Sequence, residues 1–169
     1  MTQLLVIRHG IAEDAEAFAA TGKDDSLRPL TKVGKRKMKE AAAGLREIVD
    51  SVEVLAASSL VRAQQTAEIV AKAYDDVPVS TVEALSPESD PADLVDWLGK
   101  HASAEVVAVV GHEPHLGMLV TWLMSERRES RVAMSKGGAA LLEFDSRVTA
   151  RSGTMQWLLT GSQLRRIGR

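Results

Sequence analysis

The chain has 169 residues, a formal net charge of −2 and 45% hydrophobic residues, and it contains no cysteine. This length and composition are typical of one globular domain that buries a proper core. The lack of cysteine excludes disulfides and thiolate catalysis, and the near-neutral charge argues against a nucleic-acid-binding surface. We therefore expect a single domain over residues 1–169.

The first predicted element is a strand over residues 3–8, whose apolar run stops abruptly at Arg8, His9 and Gly10. Ligand crevices in open α/β sheets lie at the carboxyl ends of the strands. The planar fork of an arginine matches two phosphoryl oxygens, and a histidine can be a nucleophile, an acid–base group or a metal ligand. The segment alone is explained equally well by a phosphoryl site and by a turn with a solvated arginine and a histidine bonded to the backbone, and the later motifs decide between the two.

A long helix is predicted over residues 31–49, after a loop over 12–27, with Thr31 as its N-cap. Gly34 in its first turn costs about 1 kcal/mol relative to alanine, so we expect a close contact with a neighbouring backbone there. Basic residues cluster where this helix begins. They form either a solvated face or a docking surface for an acidic partner protein. The cluster consists of Lys32, Lys35, Arg36, Lys37 and Lys39.

A second strand is predicted over 52–58 and a second helix over 61–74, with Arg62 in its first turn. An arginine at a helix N-terminus opposes the macrodipole, so a solvated surface role is mildly unfavourable. A bound anion at this helix start explains the residue better.

Further along the chain, a strand over 78–82, a helix over 91–101 and a strand over 105–111 are predicted. The last of these is a β-branched run typical of a central parallel strand, and it ends at Gly111 and His112. His112 thus repeats the placement of His9. His112 and His115 precede or begin a helix over 115–125, but no Cys/His cluster completes a metal site, so no metal is predicted.

The last two strands are predicted over 139–144 and 155–160, with a hairpin-like connection between them and a loop over 126–138 before them. The alternation of strands and helices predicts an α/β fold. We expect a three-layer sandwich, in which helices cover both faces of a mostly parallel sheet with one antiparallel edge.

These motifs together resemble the histidine phosphatase superfamily, which is also called phosphoglycerate mutase-like, and within it the short bacterial SixA-type phosphohistidine phosphatases. Four ordered motifs are far more specific than one. The matching segments are Arg8-His9-Gly10 with Ala12, Arg28-Pro29-Leu30-Thr31 with Gly34, Ser58 with Arg62-Ala63 and Gln65-Thr66-Ala67, and Gly111-His112.

The resemblance implies a phosphatase that works through a covalent phosphohistidine intermediate and needs no cofactor. His9 would be the nucleophile, Arg8 and Arg62 would hold the phosphoryl oxygens, and His112 would add a third donor. Nearby cations disfavour imidazolium, which keeps His9 neutral for attack.

The general acid is where the sequence departs from the better-known relatives. Glu83 is the best positional match for their carboxylate, although its surrounding pattern is poor, and it is equally well explained as an exposed loop residue. A phosphohistidine substrate weakens the need for an acid, because imidazole is a good leaving group once it is protonated.

Three functions remain open at this point. The chain is a phosphohistidine phosphatase that acts on a phosphorylated protein such as a histidine phosphotransfer domain, a phosphatase of small phosphorylated metabolites, or an inactive phosphate-binding module. A mutase is disfavoured, because the short chain leaves little room for the insertions that enclose a mutase substrate. We expect a monomer or weak dimer in the cytoplasm that binds neither membrane nor nucleic acid, because no leader pattern or membrane-spanning run is present.

Overall fold

The computed structural model describes residues 2–169, which form one six-stranded sheet with helices around it. The strands are β1 (Thr2–Arg8), β2 (Val54–Ala57), β3 (Val79–Thr81), β4 (Val106–Gly111), β5 (Ala139–Phe144) and β6 (Thr154–Leu159). The helices are α1 (Ala15–Ala19), α2 (Lys32–Ile48), α3 (Val61–Ala73), α4 (Asp93–Lys100), α5 (His115–Ser125) and α6 (Gly161–Ile167). No helix within this described range is long and apolar enough to cross a membrane.

The strand order in the sheet is β3-β2-β4-β1-β5-β6. The first four of these strands are parallel, whereas β5 runs antiparallel to β1, and β6 runs antiparallel to β5. The buried β1 and β4 are central, as their continuous apolar runs predict. Arg8 of β1 pairs with Gly111 of β4, so these two strands end side by side, and His9 and His112 directly follow them.

Each face of the sheet carries its own hydrophobic core. One core joins the sheet to the layer that contains α2, α3 and α6, through residues such as Leu45, Val70 and Leu164. The other joins it to α4 and α5, through residues such as Leu94 and Leu119. The predicted α/β sandwich with an antiparallel edge is therefore confirmed.

Two short helices were not predicted. The segment 12–27, predicted as a loop, contains α1, which Asp14 caps and which buries only Phe18. The segment after β6 forms α6, which begins with a capping box between Thr160 and Gln163. Helices of one or two turns show too few repeats for a periodicity to be recognised.

Candidate active site

One cavity of about 540 Å³ brings together four of the five residues singled out from the sequence, Arg8, His9, Arg62 and His112. It lies at the carboxyl ends of β1 and β4, where Arg8 ends β1 and His112 follows β4. Arg62 reaches it from the first turn of α3. The four side chains are up to 104 positions apart in the chain, and the crossovers of the parallel sheet bring them to one edge.

The imidazole of His9 has a defined tautomer. Its Nδ1 lies 2.7 Å from the carbonyl oxygen of Gly10, and because a carbonyl can only accept, Nδ1 carries the proton and donates it. Nε2 therefore keeps its lone pair. Burial lowers the pKa of His9 to about 4, and the nearby charges of Arg62 and Arg8 act in the same direction. His9 is therefore neutral at physiological pH, as a nucleophilic imidazole must be.

His112 lies against His9, with 5.1 Å between the ring centroids. Its Nε2 is 2.5 Å from the hydroxyl oxygen of the fully buried Ser58. Burial lowers the pKa of His112 to about 3, with the neighbouring His9 as the next cause. If the hydroxyl of Ser58 donates to Nε2 of His112, the neutral ring carries its proton on Nδ1. This Nδ1–H can then donate to an anion. The sequence did not assign this part to Ser58.

The guanidinium groups of Arg8 and Arg62 are each held at one end. Nη1 of Arg8 donates to the carbonyl of Met134 at 2.8 Å, and Nη1 of Arg62 donates to the carbonyl of Asp25 at 3.0 Å. Within residues 2–169, both Nε atoms are buried and make no hydrogen bond. Buried donors of this kind are normally satisfied, so these two point to an anionic ligand.

Asp25 and Arg28 belong to the site although the sequence did not single them out for it. The carboxylate of Asp25 pairs with Arg62 at 3.2 Å and with Arg28 at 2.8 Å, and Arg28 itself lines the cavity. The hydrogen bond from Arg28 holds the pKa of Asp25 below its usual value. One loop carboxylate thus orients two cavity arginines. The only signal in the sequence was Arg28 within a matching motif.

Two motif residues with no chemistry of their own support the backbone near His9. The hydroxyl of Thr66 accepts from the N–H of Gly10 at 3.0 Å and donates to the carbonyl of Arg62 at 2.8 Å. Thr66 thereby ties the loop that carries His9 to the helix that carries Arg62. At Gly34, an added Cβ would lie 2.0 Å from the carbonyl oxygen of Ile11. The close backbone contact expected at Gly34 is therefore confirmed.

Glu83 is not among the residues that line the cavity. It lies in a 3₁₀ turn after β3, exposed, and its carboxylate accepts a hydrogen bond from Ser86. Its role as the general acid stays a prediction.

The carboxylate that lines the cavity next to His112 is Glu113, which was not predicted from the sequence. It accepts a hydrogen bond from the N–H of Gly117 at 2.7 Å, and burial raises the pKa of Glu113 above its usual value. Its position directly after the Gly111-His112 motif was the signal that could have identified it.

Four exposed residues also line the cavity: Glu13 and Asp14 from the loop after β1, Ala15 at the start of α1, and Lys136 from the segment before β5. Among residues 2–169, no group of three or more histidine, aspartate or glutamate side chains is arranged to hold a metal ion. The positive charge of the cavity comes from arginine and lysine side chains. The arrangement can bind a phosphoryl group and present a neutral imidazole to its phosphorus atom.

Comparison with known proteins agrees with this chemistry. The model of the histidine phosphatase superfamily, branch 1, matches residues 4–87, about half of the chain. An uncharacterised protein of Picosynechococcus sp. is 30% identical over 161 residues, which are 94% of this chain and 95% of the relative.

Solved structures of phosphatases share the fold. The protein histidine phosphatase SixA in complex with tungstate superposes with a TM-score of 0.81 and 26% identity, over 96% of this chain and 99% of that one. A phosphoserine phosphatase of Entamoeba histolytica in complex with 3-phosphoglyceric acid gives a TM-score of 0.71 and 17% identity, over 97% and 100% of the two chains. The second likeness, at this low identity, concerns the fold alone.

Proposed function

This chain belongs to the histidine phosphatase superfamily, and we propose that it is a phosphatase that removes the phosphoryl group from phosphohistidine in a protein. The observation that carries the proposal is the state of His9. Its Nδ1 proton is committed to the carbonyl of Gly10, and its Nε2 lone pair is available beside two arginines whose Nε atoms lack partners.

The proposed reaction has two displacement steps. In the first, the lone pair of His9 Nε2 forms a bond to phosphorus, and the P–N bond of the substrate breaks. Its electron pair stays on the substrate imidazole, which leaves as the neutral ring if its other nitrogen was protonated. Arg8, Arg62 and the Nδ1–H of His112 stabilise the negative charge on the phosphoryl oxygens.

In the second step a water oxygen forms the new P–O bond. The P–Nε2 bond breaks, its electron pair returns to His9, and inorganic phosphate leaves as H2PO4−, which keeps both protons of the water. Because Nδ1 stays bonded to Gly10, the ring keeps its orientation through both steps.

Two observations favour a protein phosphohistidine as the substrate. The cavity lining includes the exposed residues 13–15, so we expect that a phosphorylated side chain on another protein surface can reach His9. An imidazole whose other nitrogen is already protonated also leaves without a proton from the enzyme. This suits a site in which Glu83, the predicted general acid, lies outside the cavity lining. The similarity to the protein histidine phosphatase SixA supports the same assignment.

A second candidate, hydrolysis of small phosphomonoesters, is favoured by one observation. Glu113 lines the cavity and has a raised pKa, so it can hold a proton for an alkoxide leaving group. General acids contribute about 10²–10⁴-fold to the rates of such reactions.

A substrate panel on the wild type and on Glu113→Gln separates the two candidates. The panel contains a phosphohistidine protein, phosphoramidate, p-nitrophenyl phosphate and a sugar phosphate. We expect the highest kcat/KM for the phosphohistidine protein, with little change in Glu113→Gln. A higher value for the sugar phosphate, lost by about 10²-fold or more in Glu113→Gln, would replace our proposal with the second candidate.

A further inference from the structure

An open groove of about 450 Å³ lies between α2 and α3, outside the cavity that contains His9. Its apolar surface comes from Ala42, Ala43, Ile69 and Ala73. Because three of these side chains are single methyl groups, a partner helix can approach the two helix backbones closely. This feature, the α2–α3 groove, offers the apolar trough in which amphipathic helices bind.

Three lysines border the α2–α3 groove: Lys35 and Lys39 from α2, and Lys72 from α3. All three are exposed, and across residues 2–169 none of them takes part in an ion pair. Glu68 is the single carboxylate of the lining. Since the whole chain has a net charge of −2, the groove is a local excess of positive charge on an otherwise slightly acidic protein.

The placement of Lys35 on α2 is unfavourable for the helix itself. The first turn of α2 contains no acidic residue, and Lys35 lies in that turn. A cation near a helix N-terminus opposes the macrodipole, at about 0.3–1 kcal/mol for each charge. Of the five basic residues that cluster at the start of α2, Lys35 and Lys39 are the two that line the groove. An anionic partner in the groove accounts for the placement of Lys35 and pairs with Lys39 beside it.

The groove leads away from the candidate active site. The segment before α2 is held to the loop of His9, because the N–H of Thr31 donates to the carbonyl of Ile11. On α3, Arg62 lies in the cavity, and Lys72 lies in the groove ten residues later. At 1.5 Å per residue, these two residues are about 15 Å apart along the helix axis. A protein whose phosphohistidine contacts Arg62 can therefore place an adjoining helix in the groove.

We propose that the α2–α3 groove is a docking site for an acidic amphipathic helix of the phosphorylated substrate protein. The proposal rests on the function proposed above, because it assigns groove and cavity to one and the same substrate. Apolar residues of the bound helix pack on Ile69 and the alanines, and its carboxylates pair with the three lysines. Docking of this kind lowers KM for the protein substrate and leaves kcat unchanged, because the groove does not touch the reacting atoms.

Defined peptides make the proposal testable. One helical peptide of about 25 residues, long enough to extend past the groove, carries a single phosphohistidine and glutamates in both flanks. A companion peptide has glutamine in place of every glutamate. We expect KM of the wild type for the glutamate peptide to be about tenfold or more below KM for the glutamine peptide, and we expect this difference to shrink at high salt.

The variant that tests the groove is Lys39→Glu/Lys72→Glu, and Lys39→Gln/Lys72→Gln serves if charge reversal impairs folding. The matched control is Lys100→Glu/Arg147→Glu, which makes the same change in net charge at exposed residues outside the groove lining. We expect the groove variants to lose the preference for the glutamate peptide and to hydrolyse phosphoramidate within about twofold of the wild type. The control should keep the preference.

Three results would overturn the docking site: equal KM values of the wild type for both peptides, an equal loss of preference in the control, or a wild-type dimer that the groove variants convert to monomers. Failure of the proposed function gives a different pattern, in which both phosphopeptides stay intact while a phosphomonoester is hydrolysed. Fluorescence anisotropy of the unphosphorylated glutamate peptide then still tests the groove. Weaker binding to Lys39→Glu/Lys72→Glu than to the control supports docking, and equal binding contradicts it.

Discussion

Two arginine side chains at the carboxyl edge of the sheet, those of Arg8 and Arg62, each have a buried Nε–H donor without a hydrogen-bond partner within residues 2–169. Arg62 is only 6% exposed, yet it keeps a buried Nε without a partner within residues 2–169. Leaving such a donor unpaired costs about 1–3 kcal/mol. Asp25 offsets part of this cost by holding the other end of the guanidinium group. The remaining cost at Arg62 is expected of an anion-binding site without its ligand, because the donor that is unpaired here would be satisfied by the bound anion.

Replacement of Arg62 tests whether its fork recognises the phosphoryl group. We expect Arg62→Ala to lower kcat about 10²–10³-fold, the usual loss when one donor to a transition state is removed. Arg62→Lys keeps the charge but loses the two-pronged geometry, so it should recover only a small part of the rate. Steady-state kinetics on phosphoramidate give the result, with melting temperatures to show that both variants fold. Full activity of Arg62→Lys would rule out bidentate recognition.

Some of the site residues could be predicted from the sequence, and others could not. Arg8, His9 and His112 lie at the carboxyl ends of strands and Arg62 lies in the first turn of a helix, and that placement was enough to predict that they meet at one sheet edge. Ser58 was recognised only as a motif residue, and Asp25 and Glu113 were not singled out, because their contacts depend on side-chain directions that a linear sequence does not contain. Glu83 failed to line the cavity for the same reason, because its carboxylate turns toward Ser86.

At the scale of elements, the loop that carries His9 depends on how closely α2 approaches it. The N-terminal turn of α2 contacts the carbonyl of Ile11 through Gly34, and Thr31 caps that helix by accepting from the N–H of Gly34 at 2.8 Å. The intrinsic cost of this glycine in a helix is therefore offset by a contact that positions the loop of His9.

Gly34→Ala tests this contact directly. A Cβ at 2.0 Å from a backbone oxygen forces α2 and the loop apart, so we expect a net loss of about 1–3 kcal/mol in unfolding free energy despite the gain in helix propensity. Gly99→Ala in α4 is the matched control, because nothing lies within 4 Å of its added Cβ. Gly99→Ala should be neutral or slightly stabilising. Equal effects of the two changes on urea unfolding would contradict the account.

The length of an element decides whether the hydrophobic pattern of the sequence predicts it. Strands β1 and β4 are continuous apolar runs and α2 spans 17 residues, so their periodicity is unambiguous. Helices α1 and α6, with five and seven residues, are stabilised by capping side chains and by single buried anchors such as Phe18 and Leu164. Contacts of that kind depend on the rest of the fold, so local sequence does not reveal them.

For the molecule as a whole, the two buried histidines of the site make the free energy of unfolding depend on pH. His9 and His112 are buried and neutral, and their pKa values fall to about 4 and about 3, whereas an unfolded histidine titrates near 6.5. Between these values the unfolded chain binds more protons than the folded one. Their contribution to stability is therefore complete above pH 6.5 and is lost as the pH falls toward 4.

We expect the free energy of unfolding to decrease by a few kcal/mol between pH 7 and pH 4, since each unit of pKa shift corresponds to about 1.4 kcal/mol. The double variant His9→Ala/His112→Ala should show a clearly smaller decrease over this range. Urea unfolding at several pH values measures both proteins. If the two show the same pH dependence, the buried histidines are not its source.

Trapping of a phosphoryl group on His9 tests the central claim most directly. The protein is mixed with a radiolabelled phosphohistidine protein and quenched at alkaline pH within its first turnovers, because phosphohistidine is labile in acid. Peptide mapping should then find the label on His9, and His9→Ala, folded by circular dichroism, should show neither label nor turnover. Turnover that survives in His9→Ala would mean that water attacks the substrate directly, and it would contradict the covalent mechanism.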